Sequence, residues 1–89
     1  MRGVCGEARD SDVIIELNLD NKGTEIEIIS KLKYMFGEQI KSSVESVLRE
    51  FNVENAYVRV EDYGALDFVI RARTKTALKR ALRGEKIDD

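Results

Sequence analysis

A serine between two carboxylates, a lone thiol and a run of arginines are the side chains of this sequence with chemistry to offer. The serine is Ser11, in Asp10-Ser11-Asp12. An exposed hydroxyl on flexible backbone can enter another enzyme's pocket and be modified there; the plainer alternative is a polar entry to a strand. Cys5 is the only cysteine, with Arg2 and Arg9 its only basic neighbours in sequence, which gives little ground for a reactive thiol. Arg71, Arg73, Lys75, Lys79, Arg80 and Arg83 face one acid, Asp67, so residues 65–84 carry six positive charges less one, +5, within a net charge of −2. The remainder is therefore −7. Such a strip suits docking on phosphate groups or an acidic partner, with Arg71, Arg73, Arg80 and Arg83 as the docking candidates. It equally suits a solvated helix face whose C-terminal cations answer the helix dipole. Ahead of it, Tyr63-Gly64-Ala65-Leu66-Asp67 reads as a tight turn into a helix start, rather than a phosphate cradle built on one glycine. Tyr34-Met35-Phe36 reads as the edge of a core.

What is missing excludes more than what is present suggests. The 89 residues contain no histidine, so there is no Ser-His-Asp triad, no Cys-His pair and no histidine base near neutral pH. One cysteine closes no intrachain disulfide and supplies no cysteine-rich zinc site, so neither a disulfide-stapled scaffold nor a metal site is expected. A net charge of −2 gives no push toward nucleic acid or an anionic membrane. A small RNA-binding domain is opposed further by the lack of aromatics among the basic residues. No apolar run approaches the roughly 20 residues of a membrane span. The first six residues lack a secretory apolar region, and a cytoplasmic protein is the expectation.

These side chains must be positioned by a few short elements. Residues 1–11 carry no apolar period and read as a flexible lead-in ending at the candidate serine. Val13, Ile15, Leu17 and Leu19 alternate with Ile14, Glu16, Asn18 and Asp20, as a half-buried strand requires. Asp20-Asn21-Lys22-Gly23 is a turn, and Thr24 to Ser30 alternates again, which predicts an antiparallel hairpin. Ile40, Val44, Val47, Leu48 and Phe51 mark one face of a helix over 38–52, with Gly37 separating an earlier turn. Ala56, Val58 and Val60 predict a third strand, beside either of the first two. A second helix then runs to a stop near Gly84. The expected fold is α+β: a two-layer sandwich, order β-β-α-β-α, with a three-stranded sheet packed by two helices over 12–84 and a C-terminal tail at 85–89.

Gly64-Ala65-Leu66-Asp67-Phe68-Val69-Ile70-Arg71-Ala72-Arg73 resembles the Gly-Ala-Leu-Asp…Arg-Ala-Arg segment of the citrate lyase acyl carrier proteins, the gamma subunits of that complex. Phe36-Gly37-Glu38-Gln39-Ile40, Ser46-Val47-Leu48 with Phe51-Asn52-Val53, and Val58, Val60, Asp62 and Gly64 are similar to further segments of that family, as are Gly6 and Asp12-Val13-Ile14-Ile15. The resemblance runs from about Cys5 to Leu82.

It implies a non-catalytic carrier. In that family a serine near the N-terminus bears 2′-(5″-triphosphoribosyl)-3′-dephospho-CoA through a phosphodiester. The thiol of the group presents acetyl and citryl thioesters to the catalytic alpha and beta subunits during cleavage of citrate to oxaloacetate and acetate, and a prosthetic-group transferase installs it. The family's serine stands two residues before the aspartate, as in Glu-Ser-Gly-Asp or Glu-Ser-Ser-Asp. Here that position is Asp10, and the candidate attachment residue is Ser11, shifted by one. The alternative is an unmodified relative that binds a protein partner through its basic second helix. The malonate decarboxylase carrier, with the same prosthetic group, is the more distant resemblance.

Overall fold

The computed structural model describes residues 1–84; the tail expected at 85–89 lies outside the described residues. The elements are β1 (Arg2–Cys5), β2 (Val13–Asn18), β3 (Thr24–Ile29), α1 (Lys33–Glu50), β4 (Ala56–Asp62) and α2 (Asp67–Arg83). They form a four-stranded sheet in the order β1-β2-β4-β3. Val13, Ile15 and Leu17 on β2, and Ala56, Val58 and Val60 on β4, are all fully buried, while the residues between them are partly exposed. The period of two thus gives each central strand one inward face. The helices cover that face: α2 lies across β1 and β2, α1 packs beside β3, and the helices touch each other. Their contribution to the core is Ile40, Val44, Val47 and Leu48 from α1, and Ile70, Ala77, Leu78 and Ala81 from α2.

The α+β two-layer architecture holds, but the sheet has a fourth strand and the hairpin does not form. β2 and β3 are not neighbours. β4 lies between them, antiparallel to β2 with Ile15 opposite Val60, and parallel to β3 with Ile28 opposite Val60. Burial explains this order. β3 carries Glu25 and Glu27 and buries only Ile28 fully, so it suits an edge, while the apolar face of β4 needs cover on both sides. A parallel neighbour needs a long crossover, and α1 supplies it. The glycine turn is tied to the start of β4 instead of closing a hairpin. The Gly23 N–H donates to Asn55 Oδ1 (2.8 Å), and the Gly23 carbonyl accepts from Ala56 N (2.9 Å).

Arg2–Cys5, expected within a flexible lead-in, form the other edge strand, antiparallel to β2. Four residues are too few to show a period. Gly3 makes the docking possible, because a Cβ there would stand 1.9 Å from the Ala77 carbonyl oxygen of α2. Helix α1 begins at Lys33 and passes through Gly37 without a break. A helical glycine costs about 1 kcal/mol relative to alanine, less than the turns around it return. Asn52, left-handed at φ 56°, follows the helix end, and Gly84 at φ 65° ends α2.

Candidate functional site

Ser11 lies on a tight turn fastened to one end of the sheet. Its backbone is left-handed, φ 65°, a conformation uncommon for a side chain other than glycine, asparagine or aspartate. Three backbone hydrogen bonds hold the turn: Ser11 N donates to the Tyr63 carbonyl (2.8 Å), Tyr63 N to the Asp12 carbonyl (2.9 Å), and Asp12 N to the Arg9 carbonyl (3.1 Å). The Ser11 side chain is exposed, and its hydroxyl has no hydrogen-bond partner among the described residues. Here the flexible segment that the sequence suggested is an ordered turn with a free hydroxyl at its tip.

Asp12, the next residue, is only 3 % exposed, and its carboxylate anchors the turn. Oδ1 accepts from Val13 N (2.8 Å) and from Arg73 Nε (3.1 Å), and Oδ2 accepts from Arg73 Nη2 (2.9 Å). The pairing is bidentate and charge-assisted, the strongest geometry available to an arginine and a carboxylate. The Val13 N–H and then the Arg73 guanidinium hold the carboxyl below its usual range, and burial opposes them. Arg73 also reaches Cys5 through Nη1, 3.7 Å from Sγ. One arginine therefore joins α2, the end of β1 and the turn that carries Ser11. Cys5 is buried at 6 % exposure, away from solvent reagents.

The basic helix is correspondingly less available than its charge suggests. Arg73 is bound to Asp12, Arg80 donates to the Val4 carbonyl (2.6 Å), Arg71 pairs with Asp67 (3.0 Å), and Lys75 pairs with Glu50 (3.5 Å). The exposed Arg71–Asp67 pair, four apart on a helix, is worth about 0.3–0.5 kcal/mol and yields readily to a partner. The Arg73 pair does not, because its loss leaves a buried carboxylate with only the Val13 N–H and the exposed Arg9, 3.5 Å away, to answer its charge. Of the docking candidates, Arg73 and Arg80 are thus fastened to the fold.

The turn before α2 is structural in its details. Asp62 Oδ1 accepts from Gly64 N (3.2 Å) and Ala65 N (3.0 Å), and Oδ2 accepts from the Ser30 hydroxyl (3.1 Å). Gly64 takes φ 90°, and Asp67 accepts from the Ser43 hydroxyl of α1. A carboxylate placed at this helix start opposes a bound phosphate.

Around Ser11 the strand ends and both helix starts leave apolar side chains in solvent. A cleft of about 640 Å³ is lined by Ile29, Leu32 and Tyr63, together with Asp10 and Lys31. A second, of about 330 Å³, runs between α1 and α2 past Leu32, Phe36 and Leu66. Leu32 is 48 % exposed and Leu66 is 64 % exposed. Tyr34-Met35-Phe36, expected at the core edge, stands largely in solvent instead, because α1 turns other residues inward. This rim was not legible as a surface in the sequence, since its members come from segments 30 residues apart.

A small α+β scaffold that presents a serine hydroxyl on an ordered turn, without a histidine anywhere in the chain, has the makings of a carrier domain. A family model described as malonate decarboxylase delta subunit (MdcD), of acyl carrier type, matches residues 2–81. The citrate lyase acyl carrier protein of Halothermothrix orenii is 40 % identical over 80 residues, covering 90 % of this chain and 85 % of that one. Those of Leuconostoc mesenteroides subsp. cremoris and Oenococcus oeni are each 43 % identical, over 89 % and 92 % of this chain and 81 % and 84 % of theirs. A chain in the crystal structure of a Pseudomonas malonate decarboxylase hetero-tetramer in complex with malonate shares the fold, with a TM-score of 0.60 at 14 % identity over 90 % of this chain and 82 % of that one. The chain belongs to the family of the citrate lyase acyl carrier proteins. Among the described residues no helix is long and apolar enough to cross a membrane, and no cluster of side chains is suited to a metal ion.

Proposed function

We propose that this chain is the acyl carrier subunit of a citrate lyase complex and that Ser11 is the residue that bears its prosthetic group. The observation that carries the assignment is the exposed, unpartnered Ser11 hydroxyl on a turn fixed by Asp12 and Arg73, in a chain of this family. The group is the CoA derivative of the family, and the Ser11 surroundings fit it: the residue is exposed, and the neighbouring Asp10 lines an open cleft. Loading would join the Ser11 hydroxyl to the α-phosphorus of the triphosphoribosyl donor with release of pyrophosphate, so the attached arm would keep one phosphate of the donor's three, as a phosphodiester.

When bound, the group supplies a thiol that holds acetyl or citryl as a thioester. The chain itself holds the base of the arm. Asp12 and Arg73 stop the attachment turn from swinging, so the reach of the arm is measured from a fixed point. A tethered thioester then meets successive active sites at high effective concentration. Catalysis belongs to the partner alpha and beta subunits, and the complex acts in the cytoplasm.

The test is the intact mass of the protein purified from its native host, together with a Ser11→Ala variant. The expected result is an added mass on Ser11, with the variant assembling normally but supporting no turnover. An unmodified mass in an assembled, active lyase overturns the proposal. One observation favours the second reading, an unmodified binding module. Asp10 occupies the position of the modified serine in the family's Ser-Gly-Asp or Ser-Ser-Asp order, and Ser11, with φ 65°, occupies that of the glycine or second serine.

A further inference from the structure

We infer that the enzyme which loads Ser11 recognises the folded end of this molecule, docking across the apolar rim of Leu32, Tyr63 and Leu66, and does not read the serine as part of a linear peptide. The inference rests on the carrier reading and names how that site is recognised.

Two observations lead to it. First, Ser11 cannot be presented as an extended segment while the protein is folded. Its N–H is bonded to the Tyr63 carbonyl, Asp12 is bonded through its backbone carbonyl to Tyr63 N, and the Asp12 side chain is held by Arg73 from a helix 61 residues away. Entry into a peptide-binding groove would break this set together and expose the Asp12 carboxylate. An active site that reaches the hydroxyl therefore meets a folded turn bonded to the Tyr63 backbone at the end of the sheet. Secondly, apolar side chains are exposed near that end. Ile29, Leu32 and Tyr63 share a cleft with Asp10, the neighbour of Ser11, and with Lys31, Glu61 and Asp62, and Leu32 continues into the second cleft with Leu66. Single exposed leucines need no explanation, but apolar side chains from three segments converging beside the one candidate attachment point form a binding patch. The partner this patch suits is the one that must touch the serine itself, since the cleft that holds Leu32 and Tyr63 also holds Asp10.

The experiment compares loading by intact mass, using the citrate lyase prosthetic-group transferase and its triphosphate donor. Four substrates are compared: the full chain, Leu32→Glu, Leu66→Glu and an unstructured peptide of residues 6–17. Both leucines are exposed, and circular dichroism verifies that the variants fold. The full chain is expected to load on Ser11, each variant roughly tenfold or more slowly, the loss of one well-placed contact at an interface, and the peptide not at all. A peptide loaded at the rate of the full chain, or both variants loaded at that rate, overturns the inference while the carrier reading stands. Normal loading of the variants with loss of lyase turnover assigns the rim to a catalytic subunit, and also overturns it. A full chain that never loads overturns the carrier reading, and this inference with it.

Discussion

Ser11 and Asp12 are adjacent in sequence and opposite in situation, one offered to solvent and the other locked beneath it. The left-handed backbone at Ser11 suits a glycine, the residue before the aspartate in one of the family's two orders, since glycine takes that conformation without steric cost. It follows that Asp10→Ser combined with Ser11→Gly sets up that Ser-Gly-Asp order on an unchanged backbone. That double variant is expected to accept the prosthetic group at residue 10, as peptide mapping of the loaded protein will show, and to be slightly more stable than the parent. Asp12 makes a second prediction. Its carboxyl is held below the usual 3.8 by the Val13 N–H and Arg73, so the folded state binds its proton less readily than the unfolded state does. Its stabilisation is thus complete above the usual range and is lost as pH falls through the lowered folded value. An Asp12→Asn variant should melt below the wild type at neutral pH, and the gap should close progressively below about pH 4. A gap that is constant with pH would show that the pairing contributes through shape alone.

At the scale of elements, the least conspicuous strand does the most to build the site. β1 closes the sheet beside β2, brings Cys5 to Arg73 and offers the Val4 carbonyl to Arg80. Its approach to α2 depends on Gly3, where a Cβ would meet backbone atoms of Ala77 and Ala81 that cannot move aside. Gly3→Ala is therefore expected to destabilise the fold by roughly 1–3 kcal/mol through overpacking, measured by urea denaturation. It should also loosen the Ser11 turn, seen as faster amide exchange at Ser11 and Tyr63. The second helix, most of the first and the two central strands were legible because their periods are local, while the first turn of α1, through Gly37, was not. The edge strand was not, because four residues with a glycine and an arginine carry no pattern. The hairpin expectation failed for a related reason: alternation tells which side of a strand is buried, not which strand lies next to it.

Over the whole molecule, positive charge is concentrated on α2, and its pairing limits what that helix can bind. Arg73 and Arg80 are spent on Asp12 and Val4, so charge reversal there tests the fold as well as any partner. Arg71→Glu with Lys79→Glu leaves both staples in place. If assembly with the lyase subunits uses this helix, the pair of reversals weakens capture in a pull-down, and salt weakens the wild-type contact in parallel. Capture indifferent to both would place the contact elsewhere on the surface. From its sequence alone this chain was determined to be a small α+β domain without a histidine-based active site, with Ser11 as its candidate hydroxyl and with the family motifs in place. Composition and periodicity are properties of neighbouring residues, and they survive without a fold. Only the tertiary structure decided that β4 separates β2 from β3, that Ser11 stands on an ordered turn, and that Arg73 holds Asp12 instead of a partner. Each of these depends on residues tens of positions apart meeting where buried charge must be paired and apolar faces must be covered, and no local pattern records such a meeting.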